Sequence, residues 1–452
     1  LWSCAAVLAC ALGMGSKQVM VTAPITVLLF DRSLVAGSLG RALRTRWGLY
    51  LGLASTWSIL AITLHFAPNT LGAGFHQATV TPWQYARTQP EVILHYLRLC
   101  FWPHPQCLDD LWPVATQVRQ VLPGAVILAA GLVATLWALL RKPALGLLGA
   151  CFFLFLAPSS SIVPIEDLSF EHRMYLALAP IIMLSVLGVR VVLNRLDRLL
   201  VEKPKTLGRL TKVSIAAAAV VACLLATRAR NRDYDDQITM WAGVVRLRPW
   251  NFRAHNNLGL GLRAVNLHQV AETHFREAVR LHPNCWYALY NLGVSVEMRG
   301  ALEESIGYYE RTLRNNNYQP AQSKLTNALN NIGLNRRQAG RLDEAAGFFR
   351  RAIGTDVRFW QAHYNLGLVL SQQGSYGPAI TAFRETLRLN PSHREAANQA
   401  AWAAYHAGRD RSCAGDAQGG KARYREALEF VPNYADARSA LQEQTPLSCG
   451  RK

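Results

Sequence analysis

The chain has 452 residues, 51% of them hydrophobic and 17% charged, and 48 Lys and Arg against 29 Asp and Glu give a formal net charge of +19. That length exceeds one ordinary domain, and the averages hide two unlike halves, a succession of apolar runs followed by a periodic amphipathic pattern. The basic excess invites a nucleic-acid reading that its location excludes: Arg41, Arg44, Arg46, Arg141, Lys142, Arg195, Arg198, Lys203, Lys205, Arg209 and Lys212 lie between apolar runs, as cytoplasmic membrane loops do.

Seven spans are predicted near residues 1–15, 18–36, 48–67, 121–140, 143–158, 174–193 and 213–227, some shorter than the ~20 residues that cross hydrocarbon without distortion. Leu1 already lies in an apolar run with no Met or basic stretch before it, which predicts an N-terminally truncated piece rather than a signal peptide. Lys and Arg number 13 in the loops 31–47, 141–142 and 190–212, against 5 in the alternating loops 13–18, 68–120 and 159–173. This bias predicts that 68–120, 159–173 and everything after the last span share the extracytoplasmic side, the periplasm of a bacterium or the endoplasmic-reticulum lumen of a eukaryote.

Ionisable residues at span ends are expensive and therefore candidates for function. Lys17, in a tight turn of small residues, is placed either to hold a lipid-linked phosphate or to snorkel toward water. The segment 68–120 carries Trp and Tyr at a density that suits the headgroup layer and predicts an interfacial helix over a lipid-facing cleft. Asp109 and Asp110 are adjacent there, without the companions that a metal site needs, and His65, His95 and His104 stand apart from one another. The loop 159–176 is the densest in charge: Arg173 offers a planar fork for phosphate oxygens, with Glu171 and His172 beside it and Tyr175 just beyond. A purely structural salt bridge is the rival reading.

Past residue 228 a half-repeat or linker runs to 251, and repeats are expected near 252–285, 286–319, 326–359, 360–393 and 394–434, followed by a tail, 435–452. Leu258-Gly259, Leu292-Gly293, Ile332-Gly333 and Leu366-Gly367 recur at 34, 40 and 34 residues, the period of tetratricopeptide hairpins. A second series, Trp241, Phe275, Tyr309, Phe349, Phe383 and Tyr424, keeps the same register. The irregular spacings predict loop insertions around Asn315–Tyr318 and around Ser412–Asp416. Before each Leu-Gly or Ile-Gly pair stands Asn257, Asn291, Asn331 or Asn365, a ladder of amides able to hold an extended peptide main chain, with Tyr287, Tyr290, Tyr364, Arg253 and Arg263 near the same groove. Of nine cysteines, Cys285, Cys413 and Cys449 fall in or after the repeats, and no disulfide framework is legible.

The expected fold class is all-α, a polytopic transmembrane bundle in residues 1–227 followed by a tetratricopeptide α-solenoid in 252–434. Ser16-Lys17-Gln18 followed by Pro24 and Leu28-Leu29-Phe30-Asp31, then Tyr96-Leu97-Arg98 to Trp112-Pro113, Phe170-Glu171-His172-Arg173-Met174-Tyr175-Leu176 and Asn231-Arg232-Asp233-Tyr234 ahead of the repeats, resemble the transmembrane and tetratricopeptide-repeat O-mannosyltransferases and their bacterial relatives. The resemblance implies a glycosyltransferase body that moves a sugar, mannose in the family, from a polyprenyl-phosphate donor to a protein acceptor, without a cofactor. It implies Lys17 and Arg173 as donor-phosphate ligands, with Glu171, His172, Tyr175 and Asp109 supporting them. Gln18, Asp110 and Ala177 depart from the family's usual Glu, Tyr and Pro. The family's catalytic carboxylate is expected upstream of Leu1, so this stretch by itself is expected to be inactive. A non-catalytic membrane-anchored scaffold is the alternative, one for which seven spans are more than an anchor needs.

Overall fold

A computed structural model describes residues 2–16, 18–66, 80–160, 167–169, 173–199 and 205–442. The described residues contain helices and no strand, and the chain divides into two compact units, 1–251 and 252–452.

Among the described residues of the first unit four helical stretches, Val19–Ala36, Val118–Arg141, Met174–Arg195 and Val213–Arg232, are long and apolar enough to cross a membrane, and they are compatible with insertion. The other expected spans are shorter. Helix α1 (Trp2–Ser16) has 15 residues, and the run at 48–67 is divided between α3 (Leu39–Ser55) and α4 (Trp57–Phe66). At that break the Thr56 hydroxyl turns back on the Leu53 carbonyl at 2.6 Å. Val19–Ala36 is itself composite: a 3-10 turn, Gln18–Thr22, then α2 (Ala23–Phe30), then a π turn, Asp31–Ala36, closed by Gly37 at φ 74°. The π turn carries Asp31 into a buried position, where Arg46 and the Tyr50 phenol both donate to its carboxylate.

Helix α5 (Pro82–Phe101) opens with a capping box between Thr81 and Gln84. It buries Tyr85, Thr88, Gln89, Val92, Ile93 and Tyr96 in one stripe and leaves Trp83 and Phe101 exposed, the pattern of a helix lying on a core. Helices α6 (Val118–Arg141) and α7 (Pro143–Leu156) form a hairpin broken at Lys142-Pro143. At Gly146 an added Cβ would stand 2.3 Å from the Leu139 nitrogen, so only glycine admits the partner backbone this closely. Helix α8 (Met174–Leu199) and helix α9 (Lys205–Arg232) follow, and α10 (Gln237–Leu247), capped by the Asp236 carboxylate on the Ile238 and Thr239 N–H groups, closes the unit.

The second unit is five hairpins: α11 (Phe252–Ala264) with α12 (His268–Leu281), α13 (Trp286–Met298) with α14 (Leu302–Asn315), α15 (Gln319–Gln338) with α16 (Leu342–Thr355), α17 (Trp360–Gln372) with α18 (Tyr376–Leu389), and α19 (Arg394–Cys413) with α20 (Ala417–Phe430). A short α21 (Ala435–Gln442) ends it. The glycine and aromatic series meet as partners. A Cβ on Gly259, Gly293, Gly333 or Gly367 would come within 2.6–2.7 Å of the ring of Phe275, Tyr309, Phe349 or Phe383. Gly408 stands in the same way against Tyr424, a fifth pair hidden from the sequence because no Leu or Ile precedes it. The turns inside the hairpins need a left-handed residue, supplied by Gly300, Gly340, Gly374 and Gly415 and, in the first hairpin, by Asn266 at φ 64°.

The irregular spacings are not loop insertions. The key glycine falls 7 residues after the first residue of α11, α13 and α17 but 14 after that of α15 and α19. Those two helices begin two turns earlier, which keeps every buried face in phase because seven residues return to nearly the same side of a helix. The extra residues therefore sit at 319–325 and 394–400 within helices, and Gly419 and Gly420 lie inside α20.

Candidate functional site

Besides the Asp31 cluster, two further polar centres form among the described residues of the first unit. In one, Arg173 Nη2 donates to the Asp167 carbonyl at 2.7 Å, and Nη1 faces the Tyr85 phenol at 3.2 Å and the Ser159 and Leu168 carbonyls at 3.4 Å. The guanidinium thus ties both ends of the segment 159–169 to α5. Tyr85 is fully buried, and burial raises its pKa against the opposing pull of Arg173. Tyr175, in contrast, is 77% exposed on α8 and takes no part in this centre. Lys17, Glu171 and His172 lie outside the described residues.

The second centre gathers around Asp110, which is 3% exposed. Arg248 Nη2 stands 2.8 Å from its Oδ1 and His95 Nε2 3.8 Å from its Oδ2, while the His95 ring packs on Trp112 at 4.8 Å. Burial lowers the His95 pKa, and Arg248 and Arg98 reinforce that against Asp110. Asp109 is buried beside it: its Oδ1 accepts from the Leu111 N–H, and its carbonyl accepts from Asn251 at 2.7 Å. A cleft of about 590 Å³ opens over the helix at Glu91, His95 and Arg98, walled by Phe101 and Trp112. Burial raises the Glu91 pKa, and the Trp112 indole N–H is buried without a hydrogen-bond acceptor. Among the described residues no three His, Cys, Asp or Glu side chains converge as a metal site.

Along the second unit the first helices of neighbouring hairpins come together, α11 with α13, α15 with α17 and α17 with α19, and so line the inner side of the stack. Their asparagines do not form the expected ladder of four. Asn291 Nδ2 donates to Asn256 Oδ1, and Asn365 Nδ2 to Asn330 Oδ1, each at 2.9 Å. Asn257 is half-buried and receives the Asn256 amide at 3.1 Å, whereas Asn331 is exposed. The observed arrangement is two dyads bridging hairpins, with Asn256 and Asn330 one helical position away from the members expected. Beside the first dyad, Arg263 lies 5.5 Å over the Phe275 ring and reaches Asn291 Oδ1 at 3.4 Å. Aromatic clusters flank both: Tyr290 with Tyr318 at 5.0 Å, and Tyr364 with His393 at 4.7 Å.

Arg248 was invisible as a site residue because 138 positions separate it from Asp110 and only the fold joins them. His95 looked isolated because the turn of chain after α5, not adjacency in sequence, brings Asp110 back to it. The offset of the amides was recoverable in principle, since Asn256 and Asn330 both precede an Asn.

A tetratricopeptide repeat family model matches residues 256–320, 330–385 and 364–410. No curated protein matches the chain. Solved structures similar to it include YrrB, described as a TPR protein with an unusual peptide-binding site, at 16% identity and TM-score 0.28 over 45% of this chain and 98% of that one. A MamA protein follows at 19% and 0.27, over 41% of this chain and 93% of its own, and a thermophilic TPR protein of Thermus thermophilus at 22% and 0.21, over 42% and 100%. The second unit of this chain carries tetratricopeptide repeats, a scaffold suited to protein–protein interaction.

Proposed function

We propose that the chain forms part of a membrane glycosyltransferase that moves a sugar, mannose by resemblance, from a polyprenyl-phosphate donor to a polypeptide held by extracytoplasmic repeats. The observation that supports this reading is the buried Asp110–Arg248 pair, with His95 beside it, next to a cleft on α5 of an otherwise apolar unit. The cleft over Glu91, His95 and Arg98 offers a lipid-borne phosphate one guanidinium, that of Arg98, and an aromatic rim. In this reading Lys17 supplies the second cation, and Arg173 holds the Asp167 and Leu168 carbonyls.

The test is binding of a polyprenyl-phosphate mannose to the full-length protein in liposomes, with Lys17→Ala and Arg98→Ala each weakening it about tenfold, the loss of one charge-assisted contact. Unchanged affinity in both variants removes the donor site. A membrane-anchored scaffold is the second reading, and the fact favouring it is that the Arg173 fork already faces four protein oxygens.

A further inference from the structure

The array contains one arrangement twice. Asn256, Arg263 and Asn291 are repeated, each 74 residues later, as Asn330, Arg337 and Asn365, and both sets build the same amide dyad at 2.9 Å between a hairpin and the next. In both, the arginine Nη1 is a buried atom without a hydrogen-bond partner. Neither arginine has an ion pair among the described residues, whereas Arg276, Arg299 and even the neighbouring Arg336 each hold a glutamate. Each station thus has a cation, a donor lacking its acceptor, and a fixed amide pair on the inner side of the stack. A buried unpaired N–H is costly, and a carboxylate is the group that answers both its charge and its geometry.

We propose that the inner face is a two-station clamp for an extended polypeptide bearing acidic side chains, one carboxylate engaging Arg263 and another, further along the same segment, engaging Arg337. This rests on the reading of the repeats as the holder of a polypeptide and names its chemistry. The two stations share one segment, so their contributions multiply. Basic or neutral segments lack the group that the two guanidinium ions face.

The test uses the whole chain in detergent micelles and three fluorescent 20-residue probes built from Gly and Ser with Glu, Gln or Lys at every fourth position. The Glu probe binds best; Arg263→Gln and Arg337→Gln each weaken it about tenfold and the double variant about a hundredfold, while Arg276→Gln leaves it unchanged. Arg263→Glu combined with Arg337→Glu turns the preference to the Lys probe, a result that misfolding cannot imitate. Equal binding of Glu and Gln probes, or undiminished binding by both single variants, overturns the clamp. No lipid-linked sugar enters these titrations, so a chain that fails to bind the donor but prefers the Glu probe loses the transferase reading and keeps this one.

Discussion

Gly293 leaves room for a hydrogen atom and nothing more, because a Cβ there would stand 2.7 Å from the Tyr309 ring. Alanine normally favours a helix over glycine by ~1 kcal/mol, and overpacking a filled interface costs about 1–3 kcal/mol. Gly293→Ala and Gly367→Ala are therefore expected to lower stability by roughly 1–2 kcal/mol in denaturant unfolding. Gly347→Ala, in a helix with nothing near its Cβ, is expected to raise it by up to ~1 kcal/mol. At the left-handed turn of the first hairpin Asn266→Gly is expected to be neutral or slightly stabilising, and Gly340→Ala to cost about 1 kcal/mol. The two series that predict these pairs were legible because each keeps the period of one hairpin. The amide dyads were not, because a side chain one position along a helix points about 100° away and a list of spacings cannot choose between neighbours.

His274 gives a pH dependence at the same scale. Its Nδ1 lies 3.1 Å from that of His255, and burial, reinforced by His255 and opposed by Glu277, lowers its pKa below the ordinary 6.5. The unfolded chain then takes up its proton first as pH falls. The contribution to stability is complete above about pH 6.5 and is lost progressively below it, down to the folded-state pKa. Thermal melts of the repeat unit are expected to weaken between pH 7 and 5, and His274→Asn to flatten that slope.

Among the elements, the two long first helices show why spacing alone misplaced the extra residues. Six or seven added positions look like a loop when counted between glycines. As two turns of helix they leave the buried face of α15 and α19 undisturbed and need no turn signal of their own. In the first unit, apolar length was read correctly for the long spans, while the break at Thr56 and the π turn at Asp31 depend on side chains that fold back on the backbone or pair across helices. The Asp110–Arg248 pair joins the connection after α5 to the end of α10. Removing one member of a buried pair strands the other, and Asp110→Ala is expected to cost roughly 3 kcal/mol, read as a fall in melting temperature and faster proteolysis within 102–117. Unchanged melting would show that the pair is incidental.

At the scale of the whole molecule, the proposed transfer of a lipid-borne sugar to a polypeptide held by the hairpins requires that the apolar unit's cleft and the repeats open to one compartment. Charge asymmetry between alternate loops predicts that arrangement. The most direct measurement is impermeant maleimide labelling of single cysteines, introduced at His104, Asn316 and Arg44 in a background without free thiols, in sealed vesicles of known orientation. His104→Cys and Asn316→Cys are expected to react together from the extracytoplasmic face, and Arg44→Cys only after permeabilisation. Labelling of Asn316→Cys with Arg44→Cys, and apart from His104→Cys, would put the hairpins in the cytosol and contradict the joint capture of a polypeptide and a lipid-borne sugar.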